Sequence, residues 1–206
     1  MTDLELKAAR GRKDIHREEL AELRRTGLVR LPRVTWIDEF VSYLADKPKY
    51  PGHIKARPRP GIYCNSMADL LCAPHFLAFA KSFTPLVSQY FGERAHLWSL
   101  NAFYTDENTP YIKGVNGLHI DTEAPKVVVL FIFGSFVGLH DGVQIVANGP
   151  YAWDAIRGPA GTSWLADTGQ FLHCGLLPKT PRMIAWARFA NVIPEAKFTE
   201  ELPDIP

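Results

Sequence analysis

The chain has 206 residues, 47% of them hydrophobic and 22% charged, the make-up of a globular protein long enough to bury one sizeable core. A formal net charge of +1, from 23 basic and 22 acidic residues, provides no global field to concentrate nucleic acid or an anionic membrane, so any charge recognition must be local. No apolar run approaches the roughly 20 residues that span a bilayer, and MTDLELKAARGRKD at the N-terminus has no apolar stretch behind its charges, so a cytoplasmic location without a secretory signal is the expectation.

Residues 2–26 predict a helix with Leu4, Ala8, Ile15, Leu20 and Leu23 near one face. Charges of both signs are interleaved on it, which reads as a solvated amphipathic helix rather than a nucleic-acid grip. TWIDEFVSYLAD at 35–46 predicts a second helix, with Thr35 as candidate N-cap. The stretch KPKYPGHIKARPRPGIY at 47–63 is rich in proline and glycine and reads as a surface loop. A third, heavily apolar region at 66–92 is interrupted near Pro74 and Pro85 and predicts two short helices stopping at Gly92.

From about residue 95 the pattern changes to short runs rich in aromatic and β-branched residues: HLWSLNAFYT, KVVVLFIFGSFV, GVQIVA, GTSWLAD, GQFLHCGL and RMIAWARFANV. Turn signals separate them, which implies a β-sandwich or barrel. Cys64, Cys72 and Cys174 are too scattered for a disulfide framework and form no C-x-x-C pair, so reduced thiols are expected.

GLHIDTEA at 117–124 places His119 and Asp121 two apart, so on an extended chain both side chains leave one face and can serve one ion. His173 in FLHCGLLPKTPR, on another predicted strand, would complete a two-histidine, one-carboxylate set that leaves coordination positions open. That set suits ferrous iron, and the donor types also admit zinc. Arg182 follows nine residues after His173, within the apolar strand TPRMIAWARF. A guanidinium there needs an anionic partner, and a dicarboxylate cosubstrate provides one. Strand alternation puts Arg182, Ile184, Trp186 and Arg188 on one face, so Arg188 points inward with Arg182 and is a candidate to read an acidic group of the substrate. Trp98, Trp164 and Trp186 read as core aromatics, with Trp186, between the two arginines, also a candidate substrate contact.

HID followed by FLHCGLLPKTPRMIAWARF resembles the iron(II)/2-oxoglutarate dioxygenase superfamily over roughly residues 95–190. The strand LWSLNAFYT and the turn LHDGVQIVANGPY are similar to phytanoyl-CoA dioxygenase relatives. HIDT and the nine-residue step to Arg182 look more like prolyl hydroxylases, while ANGPY stands where the phytanoyl pattern has PGSH. The resemblance implies a mainly β fold with N-terminal helices: residues 1–94 a mainly helical support region and 95–193 a double-stranded β-helix (jelly roll), cupin-like, in a single domain. It also implies Fe(II) on His119, Asp121 and His173, 2-oxoglutarate on Arg182, and Tyr104 hydrogen-bonded to that cosubstrate. Arg188 is the second candidate for the anchor, because some members of the superfamily take a larger step after the distal histidine. The implied reaction converts 2-oxoglutarate and O2 to succinate and CO2 while hydroxylating an unactivated carbon of a small, acidic metabolite. An aspartate at 121 leaves no gap for a halide ligand.

Two other classes compete: a jelly-roll protein binding a metal or ligand without turnover, and a zinc hydrolase, for which Glu123 is the nearby candidate base. A peptidyl substrate is the alternative to a metabolite. His140 and Asp141 are adjacent and precede a glycine, so they read as a turn rather than a metal pair. Asp167 is expected to close a turn.

Overall fold

The structure is a computed structural model that describes residues 16–54, 57–109, 111, 117–138, 143–146 and 153–193. Helix α1 (Arg17–Thr26) carries Glu18 and Glu19 in its first turn and Arg24 and Arg25 in its last, which complements the helix dipole. It ends at Gly27, whose φ of 73° is left-handed and whose N–H bonds to the Leu23 carbonyl at 2.8 Å. Strand β1 (Leu28–Leu31) follows, then helix α2 (Ile37–Ala45), which buries Ile37, Phe40 and Leu44 on one face. The N-cap of α2 is Trp36 rather than Thr35, and no side chain caps it.

The proline-rich stretch expected to be a surface loop is instead a hairpin, β2 (Tyr50–Ile54) and β3 (Arg57–Cys64). It is possible because β2 is the edge strand and β3 pairs with the next strand only through Ile62, Tyr63 and Cys64, so few ladder donors are lost to the prolines. The apolar region 66–92 forms three helices where two were expected: α3 (Met67–Cys72), α4 (Phe76–Ser82) and α5 (Thr84–Phe91). Ser66 caps α3 by accepting from the Asp69 N–H at 3.2 Å. Pro85 sits in the first turn of α5, where its missing donor has no helical partner to lose, and Gly92 at φ 73° ends the helix.

The remaining strands are β4 (His96–Thr105), β5 (Val127–Phe133), β6 (Val143–Val146), β7 (Trp153–Ile156), β8 (Ser163–Ala166), β9 (His173–Gly175) and β10 (Arg182–Ala190). They build an antiparallel seven-stranded sheet, β1-β8-β5-β10-β4-β3-β2, and a three-stranded sheet, β7-β6-β9. A bridge between His119 and His173 extends the small sheet beyond β9. From β4 onward the chain passes repeatedly from one sheet to the other, so the two wind together as a double-stranded β-helix. The first half therefore contributes three strands to the large sheet as well as helices.

Two cores follow. Leu100, Ala102, Val128, Leu130, Ile132, Ala185, Ala187 and Phe189 face the helices and pack with Phe40, Phe76 and Leu86. Val127, Val129, Phe131, Phe133 and Ile184 face the space between the sheets. Strand β5 is buried at all seven positions because both its faces are covered, hence its unbroken apolar sequence. The three cysteines form no disulfide, and among the described residues no helix is long and apolar enough to cross a membrane.

Candidate metal centre

The segment carrying His119 runs antiparallel to β9, and His119 and His173 exchange both backbone hydrogen bonds, at 3.0 and 2.8 Å. Directly opposed residues put their side chains on one face, and the two imidazoles meet with centroids 4.2 Å apart. Alternation turns Leu118 and Ile120 outward, 52% and 41% exposed, and brings Asp121 back to the histidine face. Its N–H bonds to the Thr168 carbonyl at 2.8 Å. Asp121 Oδ1 lies 3.9 Å from His119 Nε2 and 3.8 Å from His173 Nε2, and one potential ligand atom from each residue falls within 4.8 Å of the others.

Each imidazole is oriented from behind. His119 Nδ1 lies 2.8 Å from the Gly117 carbonyl and His173 Nδ1 lies 3.3 Å from that of Phe171. A proton on each Nδ1 satisfies these contacts and leaves both Nε2 lone pairs facing Asp121. Burial pushes the His173 pKa down; the Asp121 charge opposes this, whereas His119 and Arg188 add to it. A neutral imidazole is the form that ligates a metal. The donor set, two such imidazoles and a buried carboxylate converging on one point, fits a divalent ion such as ferrous iron and leaves other coordination positions for exchangeable ligands.

Asp167 does close a turn, and the turn supports the centre. Its buried carboxylate accepts from the Gln170 N–H (2.9 Å), Gln170 Nε2 (2.9 Å) and the Tyr90 hydroxyl of α5 (2.5 Å). The loop so fixed contains Thr168, which holds the Asp121 backbone, and Phe171, which holds His173. Nothing in the local sequence announced Tyr90 as the partner, 77 positions away.

The expected alternation of β10 is present. Met183, Ala185, Ala187 and Phe189 join the helix-side core while Ile184 and Trp186 line the inter-sheet space, and Arg182 and Arg188 share the face of Trp186. Arg182 Nε donates to Thr105 Oγ1 at 3.0 Å and its Nη2 donates to the Leu176 carbonyl at 2.8 Å. It borders a concavity with Gly61, Thr105, Asp106 and Ser135 that none of the three triad residues lines. The Trp186 ring stacks on Phe103 at 4.4 Å. Arg188 lies across the Trp98 and Trp186 rings, 5.8 and 5.5 Å from their centroids, and its Nη1 is 3.5 Å from Glu123 Oε1. Glu123 thus faces a guanidinium, not a free position for a hydrolytic base.

Tyr104 pairs opposite Met183 and packs against the helix-side core with Lys49 Nζ 4.9 Å from its ring, and it lines the same concavity as Arg182. Its neighbours Phe103 and Thr105 take the inward face by alternation. Burial pushes the Tyr104 phenol up to about 12. The pair His140 and Asp141 lies outside the described residues.

No protein-family model and no curated protein sequence matches the chain. Solved structures do, and the fold they share with it is that of iron(II)/2-oxoglutarate-dependent oxygenases. SnoN, a non-haem α-ketoglutarate-dependent epimerase from nogalamycin biosynthesis, aligns at a TM-score of 0.63 and 15% identity over 91% of this chain and 89% of its own. A 2OG-Fe(II) oxygenase family member from Burkholderia pseudomallei aligns at 0.60 and 14% identity, over 86% and 90%. HygX from Streptomyces hygroscopicus, with nickel and 2-oxoglutarate bound, aligns at 0.61 and 16% identity, over 89% of each chain.

Proposed function

We propose that the chain is an Fe(II)- and 2-oxoglutarate-dependent oxygenase in which His119, Asp121 and His173 hold the iron and Arg182 holds the cosubstrate's distal carboxylate. The observation that carries this reading is the convergence of the triad, with ligand atoms within 4.8 Å of one another, on the fold of enzymes such as HygX that bind a metal and 2-oxoglutarate. When bound, iron with 2-oxoglutarate and O2 supplies an oxidant for a C–H bond, and succinate and CO2 are the coproducts.

The chain's residues divide the remaining work. Gly117 and Phe171 carbonyls fix the imidazoles, and the Asp167 turn fixes the Asp121 backbone, which holds the ligand positions before the metal arrives. Arg182, tied to Thr105 and Leu176, offers a positioned guanidinium for a carboxylate. Phe131, Ile184 and Trp186 make the inter-sheet wall apolar and exclude water from a reactive site.

The reaction proposed is hydroxylation of an unactivated carbon of a small-molecule substrate, with Asp121 occupying the position a halide would need. Small molecules are bound by the structural relatives SnoN, seen with nogalamycin RO, and HygX, seen with hygromycin B. SnoN itself is an epimerase, so one fold serves more than one reaction.

The test is anaerobic titration of the protein with Fe(II) and then 2-oxoglutarate, following the visible metal-to-ligand charge-transfer band. The band is expected in the native protein, absent in Asp121→Ala and weakened in Arg182→Gln. Iron binding without any band removes 2-oxoglutarate from the reading.

A further inference from the structure

We infer that Arg188, with the indoles of Trp98 and Trp186, forms a second anion subsite beside the triad that takes the carboxylate of a ring-bearing organic acid, the prime substrate. This rests on the oxygenase reading above and names its substrate class.

The subsite is produced by a β-bulge. The register of β10 against β4 shifts between Arg188 and Phe189, so Arg188 pairs with Ser99 while Phe189 pairs with Leu97. The extra residue, Trp98, joins the inter-sheet core, whereas strict alternation would separate it from Ser99. A bulge re-aims one side chain in this way, and here it supplies a second aromatic wall for the guanidinium. Arg188 Nε and the indole N–H groups of Trp98, Trp164 and Trp186 are buried donors with no acceptor among the described residues. Trp98 is only 8% exposed. Buried donors without acceptors are costly, and four of them from the inner face of one sheet suit a ligand rich in oxygen acceptors.

Glu123 does not meet this need. Its 3.5 Å separation from Nη1 is well beyond the roughly 2.7–2.9 Å of a charge-assisted hydrogen bond, and its side chain is 40% exposed. It is a loose counter-ion that a better-placed carboxylate can displace. Nor can 2-oxoglutarate readily satisfy both arginines. Arg182 and Arg188 lie on one strand with starting points about 20 Å apart at 3.3 Å per residue, whereas the five-carbon dicarboxylate spans about 5 Å from its C–C bond lengths. Glu123, whose Oε1 is 3.5 Å from Arg188 Nη1, stands two residues after Asp121 in the chain, which sets the subsite beside the metal ligands. With the guanidinium carbon 5.8 and 5.5 Å from the two indole centroids, the N–H groups of Arg188 are left for a carboxylate, and the aromatic surface of Trp186 and Phe103 accommodates an apolar ring.

The test uses nickel-loaded protein with saturating 2-oxoglutarate and two probes, 3-phenylpropanoate and its neutral amide 3-phenylpropanamide, with affinities from saturation-transfer NMR. The acid is expected to bind about tenfold or more tightly than the amide. Arg188→Gln should erase that preference, and Glu123→Gln, which removes the competing carboxylate, should tighten the acid severalfold. Equal affinities in the native protein, or a preference that survives Arg188→Gln, overturn the proposal. So does competitive displacement of the acid by 2-oxoglutarate, or loss of 2-oxoglutarate binding in Arg188→Gln, either of which makes Arg188 the cosubstrate anchor. If the native protein binds no 2-oxoglutarate, the oxygenase reading fails by itself, and the acid-to-amide ratio with nickel alone still decides the subsite.

Discussion

Tyr90→Phe deletes one hydroxyl of a half-buried helix residue and should weaken both the fold and the metal centre. The hydroxyl donates to Asp167 Oδ2 at 2.5 Å, and Asp167 is 1% exposed. A hydrogen bond to a buried charged group contributes about 1.5–3 kcal/mol, while the phenyl ring keeps the packing. Burial pushes the Asp167 carboxyl above its ordinary 3.8, against the opposing hydrogen bonds from Tyr90, Gln170 and Gly169. The folded state therefore holds this proton more tightly than the unfolded chain. The stability contributed by that proton is complete below about pH 3.8 and is lost as pH rises through the raised pKa. Removing the Tyr90 hydroxyl raises the pKa further, so the deficit of Tyr90→Phe grows with pH. Urea denaturation of metal-free protein at pH 5 and pH 7.5 should show a loss of about 1.5–3 kcal/mol at the higher pH and a smaller one at the lower. Because the same turn holds the Asp121 backbone through Thr168, nickel affinity measured by calorimetry should also fall, by about tenfold. A deficit under about 0.5 kcal/mol, or one that shrinks as pH rises, refutes the reasoning.

Asp121→Ala removes the carboxylate between the two imidazoles, and nickel affinity should fall more than about a hundredfold, read by calorimetry on a variant whose circular dichroism is unchanged. Gly27→Ala places a β-carbon at φ 73° and 2.2 Å from the Phe171 ring. The left-handed backbone alone costs about 1–2 kcal/mol, so Tm should drop by about 2–8 °C, with weaker nickel binding because displaced Phe171 carries the carbonyl behind His173. Phe40→Ala empties a fully buried site between α2 and the helix-side core and should cost about 3–5 kcal/mol in denaturant while leaving nickel affinity unchanged. Loss of metal binding there would mean that the two cores are not independent.

The triad was legible because its spacing is strand physics: two residues apart on an extended chain share a face, and His173 falls in a second β-type run. The faces of β10 were legible for the same reason, since small and apolar residues at 183, 185, 187 and 189 alternate with Arg182, Trp186 and Arg188. The direction of Tyr104 was not legible, because phase along a strand decides which way a side chain points, and a strand of ten residues with apolar side chains on both faces does not reveal its own. Likewise the prolines of 47–63 hid a hairpin, since an edge strand tolerates what a central one cannot.

By itself, then, the sequence determined the local periodicities: which segments alternate, which residues could share a face, and that two histidines, an aspartate and an arginine had chemistry to do. Only the tertiary structure decided the long-range pairings: Tyr90 on Asp167, Glu123 against Arg188, and the bulge that turns Trp98 inward. The physical reason is that periodicity is a property of neighbours along the chain, whereas a partner 77 positions away is fixed by sheet register, which every strand settles jointly.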